Sequence, residues 1–109
     1  MAPRFWFATD REVYRAGACA MSCFDARFET VVRKFLQRCG AAPVDHVRVA
    51  GGPKALAEDG AAREFLLEQV RASVRLHAPA RVILLAHSDC GACGGLAVVP
   101  GMPNRPRRP

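Results

Sequence analysis

The periodicity of apolar residues predicts three strands in this chain. Residues 17–23 (GACAMSC) are small and apolar, as in a buried strand. After Pro43, the stretch VDHVRVAGG alternates apolar and polar positions, which is typical of a strand near a sheet edge. Residues 82–86 are apolar on both faces, which predicts a strand at the centre of a covered parallel sheet.

Two segments between these strands have the spacing of amphipathic helices. The first predicted helix starts at Phe28, and Gly40 stands where a helix end favours glycine. The second predicted helix runs from about residue 61 to residue 77, and Pro79 closes it. The apolar positions recur every three or four residues and are Phe28, Val31, Val32, Phe35, Leu36 and Cys39 in the first helix and Leu66, Val70 and Val74 in the second.

The order strand, helix, strand, helix, strand predicts a three-layer, doubly wound α/β domain with a small parallel sheet and right-handed crossovers. We take the strand order to be 2-1-3, so that the first strand is central. One domain is expected over residues 1–98. A disordered Pro/Arg-rich tail is expected over residues 99–109, because proline recurs throughout PGMPNRPRRP.

Composition restricts the class of protein. The 109 residues are 50% hydrophobic and 24% charged, which suits one globular core. No run approaches the ~20 apolar residues that span a bilayer, and the N-terminus lacks the features of a signal peptide. We therefore expect a cytoplasmic protein with no membrane partner, whose five cysteines stay reduced. The net charge of +6 comes without a basic face interleaved with aromatics, so nucleic-acid binding is not favoured.

The stretch HSDCGAC, residues 87–93, places one histidine and two cysteines at the end of the third predicted strand. Doubly wound sheets bind ligands beyond the carboxyl ends of their strands, where the strand order reverses. In the order 2-1-3 this edge brings Cys23, His87 and Cys90 together. Two cysteines and one histidine are a recognised zinc set with an open fourth position. With Cys93 as a fourth ligand, the site would instead be closed and structural.

Two motifs resemble those of the β-carbonic anhydrase family. CFDAR, residues 23–27, is similar to the family's Cys-x-Asp-x-Arg motif, and HSDCG, residues 87–91, is similar to its His-x-x-Cys-Gly motif. The sequence AGG, residues 50–52, ends the second predicted strand between them. Each motif alone is a weak signal, but their order and their positions at strand ends make the joint resemblance specific. It covers roughly residues 17–95.

The resemblance implies that Cys23, His87 and Cys90 bind Zn²⁺. It also implies that Arg27 holds Asp25 away from the metal, so that the aspartate orients the nucleophile. The implied reaction is the reversible hydration of CO2, with CO2 and bicarbonate as small-molecule partners. Family members continue well beyond this motif, so we expect a fold truncated relative to theirs. A homodimer or higher homo-oligomer is expected to cover the apolar faces that so small a sheet exposes.

Other interpretations of the same residues stay open. The zinc site could serve folding without catalysis. Cys90 and Cys93 form a C-x-x-C pair, which is typical of thiol oxidoreductases. Asp25 could act only as the N-cap of the first helix. Glycines 51 and 52 could form a plain turn or allow close approach of a ligand. Structural roles, in the core or as satisfied surface residues, are expected for Cys19, Cys39, His46 and His77.

Overall fold

The computed structural model describes residues 4–9, 14–88 and 90–93. Three parallel strands form one sheet in the order β2-β1-β3. Their bounds are β1 Ala18–Cys23, β2 Val44–Val49 and β3 Arg81–Leu84. Two helices connect them, α1 Glu29–Arg38 and α2 Ala61–His77. The predicted α/β class, strand order and helices are confirmed, whereas the predicted tail, residues 99–109, lies outside the described residues.

The core is built on β1, the central strand. Small side chains at Ala18 and Ala20 are fully buried and let α1 pack closely through Leu36. Cys19 and Met21, which alternate with these alanines along the strand, are also buried, at 1% and 0% exposure. A strand of small apolar residues thus occupies the one place in the sheet that is covered on both faces.

Hydrogen bonds tie α2 to β2 at the amino end of the sheet. The Ser73 hydroxyl donates to Asp45 Oδ2 at 2.6 Å, and His77 Nδ1 donates to the same oxygen at 2.7 Å. These contacts draw α2 over β1 and β2. None of the helices among the described residues has the length and apolar character needed to cross a membrane.

The prediction that the third strand is covered on both faces was wrong. β3 is an edge strand, and its side chains Val82 and Leu84 are 48% and 53% exposed. Ile83 and Leu85, by contrast, pack against the core cluster on the α1 side. Because α2 is held over β2, it leaves the corresponding face of β3 open. An apolar run on both faces predicts burial only where a second layer extends far enough to cover it.

Candidate metal centre

The carboxyl ends of β1 and β3 bring Cys23, His87 and Cys90 together, as the strand order predicts. Their donor atoms all lie within 4.8 Å of one another. The two sulfurs are 3.9 Å apart. Two thiolates bound to one tetrahedral zinc at ~2.3 Å each would stand ~3.8 Å apart. The sulfur spacing therefore fits a shared zinc ion without rearrangement of the backbone.

The imidazole of His87 presents one nitrogen for coordination. Its Nδ1–H donates to the Ser88 carbonyl at 2.7 Å, so Nε2 carries the lone pair. Nε2 is buried and has no hydrogen-bond partner among the described residues. The Phe28 ring stacks on the imidazole at 4.3 Å between centroids and holds its plane. A buried nitrogen without a partner is costly, and a bound cation would remove that cost.

Electrostatics prepare the cluster for a cation. Burial raises the pKa of the Cys23 thiol, but His87, the backbone N–H groups of Asp25 and Gly51, and Cys90 outweigh burial and lower this pKa to about 7. Burial lowers the pKa of His87, but Cys23, the Ser88 carbonyl and the Asp25 carboxylate together outweigh burial and raise this pKa. A thiolate near neutral pH is the form that binds metal.

Asp25 and Arg27 form the predicted pair next to this cluster. Arg27 Nη2 donates to Asp25 Oδ2 at 2.6 Å, and Nε lies 3.1 Å from both carboxylate oxygens. The backbone N–H of Arg27 adds a bond of 3.0 Å to Oδ1. These bonds lower the pKa of Asp25 to about 2. The N-cap interpretation also holds in part, because Asp25 caps a 3-10 turn, Ala26–Phe28, that leads into α1.

The loop that follows β2 lies against the end of β1, next to the cluster. Gly51 and Gly52 have positive φ values of 77° and 56°. A Cβ on Gly52 would lie 2.8 Å from the backbone nitrogen of Cys23. The close approach that the structure shows is therefore to the end of β1, and the approach of a ligand to these glycines stays a prediction. Farther along this loop, Lys54 Nζ donates to the Ala92 carbonyl at 2.7 Å, just beyond Cys90.

A small apolar cavity of about 150 Å³ opens beside the cluster. Cys23 and His87 form one wall, and the remaining wall is mostly aliphatic and aromatic, with Phe28, Val31, Val32 and Leu85. A cavity of this size and polarity suits a small, uncharged molecule better than a charged or extended one.

The other cysteines and histidines have the structural roles that were expected. Cys19 is buried, and Cys39 is half-buried at the end of α1. His46 Nε2 shares a hydrogen bond of 2.7 Å with the Ser22 hydroxyl, and His77 is bonded to Asp45. The side chain of Cys93 lies outside the described part of the chain, so a Cys90–Cys93 redox pair stays a prediction.

Two contacts at the site were missed in the sequence. The sequence pattern places Phe28 in the apolar stripe of the first helix. Its position next to the Asp-x-Arg motif is the signal that could have indicated its stacking on His87. Lys54 reaches across 38 positions to Ala92, and nothing in the local pattern indicates this.

Comparison with known proteins adds one finding. A family model described as "Putative carbonic anhydrase" matches residues 14–98, a span that includes both motifs. Searches of curated proteins and of solved structures gave no significant match.

Proposed function

The chain belongs to the carbonic anhydrase family whose model it matches, and on this premise we propose that it is a zinc-dependent enzyme that interconverts CO2 and bicarbonate. The observation that carries this proposal is the cluster of Cys23, His87 and Cys90 beside an aspartate locked by arginine. The cluster alone supports metal binding. The Asp25–Arg27 pair is what a purely structural zinc site would not need.

Cys23, Cys90 and His87 would hold the metal. Zinc with three protein ligands supplies a Lewis acid that acidifies water, less strongly here than with three neutral histidines because the two thiolates carry negative charge. The Ser88 carbonyl fixes the His87 tautomer, and Phe28 fixes the plane of its ring. These contacts preorganise the nitrogen ligand before the metal arrives.

Asp25 would act as a hydrogen-bond acceptor that orients the nucleophilic water. A carboxylate this close to a cation site tends to become a ligand itself. Arg27 opposes this by donating hydrogen bonds to both carboxylate oxygens. The lowered pKa of Asp25 keeps the carboxylate ionised throughout the neutral range. It can therefore accept a hydrogen bond from the nucleophilic water without taking the proton of that water.

The apolar cavity beside Cys23 and His87 would receive CO2. Its volume of about 150 Å³ is sufficient for a linear triatomic molecule. The apolar side chains of Phe28 and Val31 line that side and would hold the substrate next to the nucleophile by dispersion contacts. Carbonyl sulfide and carbon disulfide have a similar shape and are the natural competitors to test.

The test compares two ion pairs of the same chemistry. Asp25→Asn and Arg27→Ala remove the pair at the site, whereas Asp59→Asn and Arg63→Ala remove the exposed pair at the start of α2. We expect Asp25→Asn to retain zinc and to lose CO2 hydration by roughly 100-fold or more. Arg27→Ala should also keep zinc and lose most turnover, because Asp25 is freed to bind the metal.

The matched controls should keep both zinc and activity. Stopped-flow hydration of CO2 measures turnover, and emission spectrometry measures zinc. In the unsubstituted protein the rate should rise with pH, with a midpoint somewhat above ~7. Full hydration activity in Asp25→Asn would reject this mechanism. Zinc binding with no hydration at any pH up to about 9 would favour a zinc site that serves folding alone.

The thiol oxidoreductase alternative has weaker support. A dithiol catalyst needs its two sulfurs paired with each other, and among the side chains that the structure describes the sulfur beside Cys90 is that of Cys23, at 3.9 Å. Cys93→Ser distinguishes the proposals, since it should leave zinc and CO2 hydration unchanged. Loss of zinc in Cys93→Ser would instead indicate a closed four-ligand site.

Self-association and a reducing compartment complete the proposal. Large apolar side chains are exposed on several elements, and they include Phe5, Trp6, Phe7, Val74, Val82 and Leu84. A second copy of the chain would cover such faces, so we expect a homodimer or larger assembly by light scattering at micromolar concentration. Within the described part of the chain, Cys19, Cys23, Cys39 and Cys90 form no disulfide, and reduced cysteines are in keeping with a reducing location such as the cytoplasm.

A further inference from the structure

We propose that Lys54 is a positioning residue for the zinc site: its ammonium group holds the turn that follows Cys90 against the loop that contacts Cys23. The inference rests on the zinc site of the proposed function. It concerns a residue outside both sequence motifs and on a different element from each of the three metal ligands.

The first step is the contact itself. Lys54 lies in a 3-10 segment, Gly52–Ala57, that follows β2. Its Nζ donates to the carbonyl of Ala92 at 2.7 Å. Ala92 belongs to the 3-10 turn Gly91–Cys93, which begins one residue after Cys90. A hydrogen bond from a charged donor is roughly twice as strong as a neutral one, so this contact can fix a turn only three residues long.

The second step is that the same loop is fixed to the other cysteine. A Cβ on Gly52 would lie 2.8 Å from the Cys23 nitrogen, so the loop and the end of β1 are in direct contact. The loop therefore has little freedom to move relative to Cys23.

The third step joins the two contacts. A Cβ on Gly51 would stand 3.3 Å from the Cβ atoms of both Ala92 and Lys54, so the loop and the turn are packed together where Lys54 crosses. Cys23 is thus connected through the loop and Lys54 to the turn after Cys90. This connection favours the sulfur separation of 3.9 Å that suits zinc. Lys54 acts on the metal through the position of Cys90, without contacting the ligand atoms.

The experiment exploits the fact that the chain has only two lysines, Lys34 and Lys54. Lys54→Met removes the donor and keeps the length of the side chain, and Lys54→Arg restores a charged donor. Lys34→Met is the matched control, because Lys34 is exposed on α1. The full-length proteins are compared by zinc affinity in competition with a chromophoric chelator and by the thiolate-to-cobalt charge-transfer band of the Co²⁺ form. The thermal midpoint of the metal-free proteins is measured in parallel.

We expect Lys54→Met to weaken zinc binding about 10-fold and to shift the cobalt band, as loss of a supporting contact typically does. Lys54→Arg should recover affinity to within about threefold, and the metal-free midpoint should stay within the range of Lys34→Met. Zinc affinity in Lys54→Met equal to that of Lys34→Met would overturn the inference. So would an affinity loss that Lys54→Arg does not rescue. If the unsubstituted protein binds no zinc, it is the proposed function that fails, and this result is recognisable without any Lys54 variant.

Discussion

The contact between the loop after β2 and the end of β1 gives a sharp prediction for Gly52→Ala. Two costs add at this position. With φ at +56°, an alanine would be held in the left-handed region, at a cost of ~1–2 kcal/mol. Its Cβ would also lie 2.8 Å from the nitrogen of Cys23 and the carbonyl carbon of Ser22. These are backbone atoms of the central strand, so relief requires a shift of β1 or of the loop, at about 1–3 kcal/mol.

Gly40→Ala separates the two costs. Gly40 also has a positive φ of +72°, but a Cβ there would meet nothing within 4 Å. Its substitution should therefore cost only the backbone term of ~1–2 kcal/mol. We expect Gly52→Ala to be less stable than Gly40→Ala by about 1–3 kcal/mol in urea unfolding of metal-free protein, and to melt at least roughly 5 °C lower. Equal stability of the two variants would refute the close approach of the loop to Cys23.

Three further predictions concern charge and packing. Burial raises the pKa of Asp45, but the hydrogen bonds from Ser73 and His77 outweigh burial and lower this pKa. The resulting stabilisation is present above the unfolded pKa of ~4 and is lost as pH falls from that value through the folded pKa. Asp45→Asn should lose about 1–3 kcal/mol at pH 7 and flatten this acid dependence in urea titrations. Alkylation of Cys23 in metal-free protein should increase with a midpoint at about pH 7, measured by peptide mass spectrometry. Phe28→Ala should weaken zinc binding several-fold, since it removes the ring stacked on a ligand.

The sequence predicts the site better than it predicts the surroundings of the site. Cys23, His87 and Cys90 follow from two motifs and one topological rule, because parallel strands in the order 2-1-3 must place their carboxyl ends together. The Asp25–Arg27 pair is local, because two residues on the same turn are in contact whatever the rest of the fold. The Asp25–Arg27 contact depends on short-range spacing, which a sequence records directly, whereas the metal cluster also depends on the strand order.

The misjudged features depend on contacts far apart in the chain. Val82 and Leu84 look like core residues, yet α2 is held over β2 by Asp45 and leaves them exposed. The bond between Lys54 and Ala92 likewise depends on where two separate loops come to lie. A single sequence gives the apolar character of a strand, but the extent of the layer that covers it is set by tertiary packing.

The central claim is that Cys23, His87 and Cys90 form one metal site, and zinc content tests it most directly. Untagged protein should carry about one zinc per chain, as three-ligand sites do. Cys23→Ser, His87→Ala and Cys90→Ser should each lose it, whereas Cys39→Ser should keep it, because Cys39 lies at the far end of α1 with its thiol bonded to the Leu36 carbonyl. Retention of zinc in Cys23→Ser, or an unsubstituted protein that binds no zinc, would contradict the account.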